Sequence, residues 1–168
     1  LHALGEYERE LEYMRLASAQ YPNRQLLAPL IIRAYVALGK LRDADSIMTV
    51  ALSLPTDLRE SATTTAVFAV YELRWHGHAS EADAMAARVL AWMGTRPAAE
   101  RASREKRVRR AELLMASHRW NDLQAIADSL VAERLTNTSA LPYALMLQGI
   151  ALAKRGHRAE AEAVIAKI

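Results

Sequence analysis

Residues 37–45 read ALGKLRDAD, and the same phrase returns along the chain. It reads ALGEYERE at 3–10, RWHGHASEAD at 74–83 and AKRGHRAEAEA at 153–163, while ASHRWNDLQA at 116–125 fits with a histidine in place of the glycine. The recurring turn positions are Gly5, Gly39, Gly77, His118 and Gly156, separated by 34, 38, 41 and 38 residues. Periods of this size indicate a solenoid built from helix pairs. Glycine suits the turn because it takes positive φ without steric cost, and histidine is among the residues that tolerate it.

The segments between these turns carry the apolar period of amphipathic helices. One face of the first such segment carries Leu27, Leu30, Ile31, Ala34, Tyr35 and Leu38, and similar stripes occupy 41–52, 82–93 and 123–131. The run 66–73 is apolar nearly all round, which predicts a helix enclosed by other helices. Alternating apolar and polar runs are missing, and 52% of the residues are hydrophobic, enough for a packed core. The sequence therefore predicts an all-α fold.

The repeating frame resembles the tetratricopeptide repeat, a pair of antiparallel helices joined by a glycine-containing turn. Five residues after the turn, where that family places a small residue, stand Ala44, Ala82 and Ala161, with Leu123 in the odd repeat. Further matches are the small residues Ala17 and Ala51 and the closing prolines Pro22 and Pro55. The resemblance implies a right-handed α-α superhelix of about four to five antiparallel helix pairs. A looser solenoid of helical hairpins stays open, since two repeats exceed 34 residues and one lacks its glycine.

The predicted array is a single domain over residues 1–168. It consists of a half-repeat at 1–22 and repeats at about 23–55, 56–97, 98–138 and 139–168. The chain opens at a turn and closes inside a second helix, whereas solenoids usually end in polar capping helices. We therefore expect a piece of a longer protein, or ends that another copy covers. The compartment is left open, with the cytoplasm favoured and a periplasmic or extracellular location expected if a signal peptide precedes Leu1.

The resemblance also implies a concave groove, lined by the first helix of each pair, that holds a peptide or a partner's helix. The groove positions carried over are Arg33, Val36, Val67, Tyr71, Arg74, Trp75, Glu112, Met115, Tyr143, Met146 and Lys154. Aromatic and arginine side chains of this kind supply contact area and orienting charge for protein recognition. The alternative is that several of them, above all Met115, Met146 and Trp75, only pack between helices. The family's clamp for a terminal carboxylate is absent, because one of its positions holds Pro29, Val67, Val108 or Met146.

Residues 96–110 form a basic patch with a net charge of +5, seven basic against two acidic residues, which leaves −2 for the rest of the chain. Its members include Arg101, Arg104, Lys106, Arg107 and Arg110. On a helix, Lys106, Arg107 and Arg110 are expected to face solvent. Such a patch can attract an acidic protein, an anionic membrane or nucleic acid, but a plain solvated face is the favoured interpretation. Nucleic-acid binding is disfavoured because no base-stacking aromatics accompany the charge.

The sequence contains no recognised catalytic motif: HExxH, a phosphate-binding glycine loop and GxSxG are all missing. Histidines recur near the turns at His76, His78, His118 and His157, but they belong to different repeats and lack carboxylates at ligand spacing. Cysteine is absent, so thiolate metal sites are excluded, and no apolar run reaches the ~20 residues of a transmembrane helix. We therefore expect no enzyme activity, no cofactor and no metal.

Three hypotheses for function follow. The favoured one is a scaffold or adaptor that binds a protein partner, either a peptide segment or a helix, in the groove. The second is a regulatory or sensor segment of a bacterial transcription regulator or signalling kinase. The third is a structural subunit that assembles with its own copies, or with missing repeats, through uncapped repeat ends.

Overall fold

The computed structural model describes residues 1–21, 27–54, 62–133 and 140–168, and in these ranges every regular element is a helix. A 3₁₀ turn at His2–Leu4 precedes helices α1 (Tyr7–Gln20), α2 (Leu27–Ala37), α3 (Leu41–Ser53), α4 (Ala62–Trp75) and α5 (Ala79–Gly94). There follow α6 (Ala98–Ala102), α7 (Arg104–Ala116), α8 (Trp120–Ala132), α9 (Ala140–Lys154) and α10 (Arg158–Ile165). The all-α prediction is confirmed. The predicted repeat boundaries at 22/23, 55/56 and 138/139 lie outside the described residues.

The recurring phrase forms the same turn five times. At Gly39 the backbone φ is +67°, the Gly39 N–H donates to the Val36 carbonyl at 2.9 Å, and the Lys40 N–H donates to the Tyr35 carbonyl at 2.8 Å. These two bonds close a helix in the Schellman arrangement, which needs one residue in the left-handed region. Gly5, Gly77 and Gly156 have positive φ and the same pair of bonds. His118 takes φ +59° with bonds to the matching carbonyls, so its predicted role as the glycine substitute is confirmed.

The chain divides into two compact units, Leu1–Arg96 and Pro97–Ile168. In the first unit α1 packs on α2, α2 packs on α3 and α4, and α4 packs on α5. The predicted stripe of α2 forms a core cluster with Leu11 of α1, in which Ile31 and Ala34 are buried and Leu27, Tyr35 and Leu38 pack at its edge. The largest fully buried side chains of this unit are Ile32, Val36, Met48, Thr63, Val70, Leu73 and Val89.

In the second unit, α8 packs on both α7 and α9, and α10 packs on α9. The fully buried side chains include Leu113, Leu114, Leu123, Leu130 and Leu147. Small residues allow α9 and α10 to approach closely. Gly149 is buried in α9, and a Cβ placed on it would lie 3.0 Å from the Ile165 Cγ1 atom.

One expectation about burial is wrong. The run 66–73 was expected to be enclosed on all sides, but only part of its helix is covered. Ala66, Ala69, Val70 and Leu73 are fully or almost fully buried, whereas Phe68 and Tyr71 are exposed. Helices α2, α3 and α5 pack on α4 but leave one of its sides uncovered, so the apolar residues on that side are exposed.

Candidate functional site

The open side of α4 carries the largest exposed aromatic surface of the described chain. Phe68 is 46% exposed, Tyr71 40% and Trp75 84%. Their spacing of three and then four residues places the three rings on one helical face, with half-buried Thr64 and Val67 beside them. We call this surface the α4 aromatic face. Three of the predicted groove residues, Val67, Tyr71 and Trp75, are therefore brought together on it. Phe68 is not among the predicted groove residues, because the sequence predicts that 66–73 is enclosed.

Arg74 lies at the edge of the α4 aromatic face and is turned toward α5. Its Nη2 atom donates to the Asp83 Oδ1 atom at 2.5 Å, and its side chain is mostly buried. Asp83 itself is largely exposed, so the pair adds little to stability. Since this predicted groove residue already has a carboxylate partner, its charge is partly neutralised where the rings are exposed.

Arg33, the predicted groove residue of α2, is also engaged within the first unit. Its Nε atom donates to the Glu10 Oε1 atom at 2.7 Å, and its Nη2 atom donates to the same oxygen. Glu10 is only 3% exposed. A buried carboxylate is costly unless it is paired, so the guanidinium serves α1 packing on α2. Val36, another position carried over to the groove, is buried in the core and lines no groove.

Glu10 belongs to a buried polar cluster that joins four elements of the first unit, the 3₁₀ turn and helices α1, α2 and α4. The Nδ1 atom of His2 lies 2.7 Å from Glu10 Oε2, and its Nε2 atom lies 3.3 Å from a carboxylate oxygen of Glu72 in α4. His76 Nε2 lies 3.6 Å from Glu72 Oε2, and Glu72 is 7% exposed. Each ring nitrogen of His2 thus lies within hydrogen-bonding distance of one of the two carboxylates. We call His2, Glu10, Arg33, Glu72 and His76 the buried polar cluster.

The sequence held a signal for this cluster. Glu10 stands five residues after Gly5, at the position that holds Ala44, Ala82, Leu123 and Ala161 after the other turns. All four counterparts are buried, so the frame requires a buried side chain at residue 10. A carboxylate at a position that the repeat buries needs a cationic partner nearby. The resemblance implies a small residue at this position, and Glu10 departs from that pattern.

In the second unit the predicted groove residues Glu112 and Tyr143 are in direct contact. The Tyr143 hydroxyl donates to Glu112 Oε1 at 2.9 Å, and Arg109 Nη1 donates to the other carboxylate oxygen at 2.8 Å. The bond from Tyr143 links α9 to α7, whereas the bond from Arg109 lies within α7. Met115 is half-buried and Met146 is exposed, so this unit also presents sulfur-containing apolar side chains beside polar ones.

Comparison of the chain with protein-family models, curated proteins and solved structures gives no match.

Lys154, another predicted groove residue, lies apart from the Glu112–Tyr143 contact and is near the ring of Trp120 instead. Its Nζ atom is 6.0 Å from the centre of the Trp120 ring, at the outer limit of a cation–π contact. The Trp120 ring stacks on His118, with centroids 5.1 Å apart and planes inclined by 19°. The Trp120 side chain of α8 thus contacts α9 through Lys154.

The basic patch is less open to solvent than expected. Arg107 donates through Nη1 to Ser129 Oγ at 3.3 Å and through Nη2 to Glu133, which ties α7 to α8. The expectation that Arg107 is freely solvated is therefore wrong. Lys106 and Arg110 are half-buried, Arg101 is exposed, and the Nε atoms of Arg104 and Arg107 are buried without a hydrogen-bond partner in the described chain. Part of the positive charge of the basic patch is therefore engaged in contacts within the second unit.

Two open clefts lie elsewhere on the first unit. One of about 470 Å³ lies between α3 and α5 over Ala44, Leu73 and Met85, with Arg88 and Glu81 at its rim. Arg88 Nη2 lies 2.9 Å from Asp45 Oδ1, and a hydrogen bond from Ser80 lowers the pKa of Glu81. The other cleft, of about 310 Å³, includes Arg15, whose pKa is raised by its hydrogen bond with Tyr35. Acidic and basic side chains alternate around both clefts, so neither cleft has a marked preference for ligands of one charge.

Metal-binding geometry is not seen among the described residues, where no three His, Asp or Glu side chains converge on one point. His76 and His157, two of the turn histidines, each lie near a glutamate instead, at 3.6 Å from Glu72 and 2.8 Å from Glu160. Within the described ranges no helix has the length and apolar character needed to cross a membrane.

Proposed function

We propose that the chain is a protein-interaction scaffold or adaptor, with no catalytic role, that binds a segment of a partner protein on the α4 aromatic face. The observation that carries the proposal is the 84% exposure of Trp75 beside the exposed rings of Phe68 and Tyr71. Exposed aromatic clusters are unfavourable in water, and tryptophan and tyrosine dominate the binding energy of protein interfaces. The arrangement is therefore better suited to a partner than to a solvated surface.

We further propose that the helix pairs are repeats of a tetratricopeptide-like right-handed superhelix. The support is local: five turns share one hydrogen-bond pattern, and the fifth residue after each turn is buried. The regulatory-segment and self-assembly hypotheses stay predictions.

Site-specific photocrosslinking tests the proposed function. A photoreactive phenylalanine analogue at position 75 is expected to capture a discrete protein partner from extract of the source cells, identified by mass spectrometry. The matched control carries the analogue at position 16, since Leu16 is an exposed apolar residue of α1. Adducts that are missing at position 75, or that are the same at both positions, contradict the proposal.

A further inference from the structure

The dimensions of the α4 aromatic face restrict what can cover it. From Thr64 to Trp75 the face runs for about 16 Å along the helix, at 1.5 Å per residue. Large aromatic side chains bury roughly 200 Å² each, so the exposed parts of the three rings offer roughly 350 Å². A stable protein–protein interface takes ~800 Å² from each partner. The face alone is thus too small for a stable dimer with a second copy and matches a short segment.

The polar groups around the face favour a helical segment over an extended one. The α4 backbone is bonded within its own helix, and the exposed side chains at the centre of the face are the rings of Phe68, Tyr71 and Trp75. An extended segment laid on such a surface would bring most of its backbone N–H and C=O groups against ring faces, because the hydrogen-bonding groups of the three rings are few, namely the Tyr71 hydroxyl and the Trp75 indole N–H. A helix satisfies its own backbone, and its side chains three and four residues apart can pack along the ridge of α4.

The charges near the face indicate the chemistry of the contact. Both charged side chains in the second half of α4 are engaged, Glu72 in the buried polar cluster and Arg74 with Asp83. A carboxylate at the centre of the contact would be desolvated against the negative faces of the rings without a matching cation, which is costly. The central contacting residues of the partner are therefore not acidic.

On these grounds, which rest on the proposed function, we propose that the α4 aromatic face binds one amphipathic helix of about three to four turns. Its contact stripe carries aliphatic side chains at positions i, i+3 or i+4, and i+7, and its opposite side is polar. Phe68 and Trp75 are the main anchors, because they are the outer two and the most exposed of the three rings.

Selection from a displayed library of random peptides about 16 residues long, with the whole chain as the target, tests the partner class. The expected result is a set of enriched peptides with the aliphatic spacing given above and few acidic residues within the stripe. Their synthetic versions are expected to gain helicity on binding, measured by circular dichroism. Both Phe68→Ser and Trp75→Ser are expected to weaken binding at least tenfold, measured by fluorescence anisotropy.

The control is Leu16→Ser, which removes an exposed apolar residue from α1 and is expected to leave the affinity unchanged. Circular dichroism of each variant shows that the fold is retained. Proline-rich or acidic consensus peptides, or helical peptides indifferent to Trp75→Ser, overturn the inference but leave the proposed function standing. A library that yields no enriched peptide while crosslinking at position 75 still captures a partner overturns the short-helix inference alone. Failure of both experiments overturns the proposed function as well.

Discussion

Glu10 shows how one buried carboxylate requires polar partners from the neighbouring elements. Residue 10 lies at a position that the repeat frame buries, yet it carries a carboxylate. Arg33 donates two hydrogen bonds to that carboxylate, and His2 links it to Glu72. Buried charges of this kind contribute less to net stability than to uniqueness, because desolvation offsets most of the attraction. Removing a single partner is harmful because the remaining charges lose their counter-charge.

We predict that Glu10→Gln lowers the free energy of unfolding of the first unit by about 2–4 kcal/mol, the cost of leaving a mostly buried cation without its carboxylate. Urea denaturation followed by circular dichroism measures the change. The control is Glu8→Gln, at an exposed position of the same helix, with an expected change within about 0.5 kcal/mol.

A double substitution separates lost charge pairing from lost packing. Glu10→Ala together with Arg33→Leu restores the alanine found after other turns and removes the unpaired cation, so it is expected to be more stable than Glu10→Ala alone. Equal stabilities of the single and double variants would show that the ion pair is not the source of the effect.

At the scale of the elements, the turns and the helix contacts have different origins. The five turns are set by local residues, and the fifth residue after each turn residue, which is the fourth residue of the following helix, is buried. The separation of neighbouring helices is set by side-chain volume, as between α9 and α10. There Gly149 leaves room for the Ile165 side chain, which is half exposed and free to shift on its outer side.

We predict opposite effects for two substitutions at Gly149. Gly149→Ala is expected to raise the melting temperature slightly, since alanine favours a helix by up to about 1 kcal/mol over glycine and the exposed end of Ile165 can shift away from the added Cβ. Gly149→Leu is expected to lower stability by about 1–3 kcal/mol, because its volume separates α9 from α10.

Thermal denaturation of both variants measures these effects. The control is Gly94→Ala at the end of α5, where an added Cβ meets nothing within 4 Å and so tests helix preference without crowding. A destabilised Gly149→Ala beside an unchanged or stabilised Gly94→Ala would show that Ile165 cannot move.

At the scale of the molecule, the chain consists of two compact units that each bury their own leucine and alanine core. The division between Arg96 and Pro97 lies one residue from the repeat boundary expected at 97/98. A proline at this point prevents a helix from continuing across it, because its ring removes the N–H donor and clashes with the preceding turn. Separate cores imply separate local stabilities.

We predict that a core substitution weakens only the unit that contains it. Leu130→Ala leaves a cavity in the second unit at a cost of about 2–4 kcal/mol and is expected to increase amide hydrogen exchange in α7 to α10. Exchange in α2 to α5 is expected to stay as in the unmodified chain. Hydrogen exchange with mass spectrometry measures both regions at once.

The reciprocal control is Val70→Ala, in the core of the first unit, which is expected to increase exchange in α2 to α5 alone. If either substitution accelerates exchange equally in both units, the chain unfolds as one cooperative body.

The sequence by itself determined the elements that depend on neighbouring residues. Helix periodicity is local, so the stripes of α2 and α8 can be recognised in the sequence. A turn needs one residue that tolerates positive φ, so Gly39 and even His118 can be assigned to turns.

Which apolar faces are covered depends on tertiary structure. Composition cannot show that Phe68 and Tyr71 lie on an open side of α4, because burial depends on where the neighbouring helices pack. The partnership of Glu10 with Arg33 and His2, and of His2 with a residue 70 positions away in α4, was likewise decided by packing between distant segments. The turns are thus determined by the local sequence, and the surface available to a partner is determined by the packing around α4.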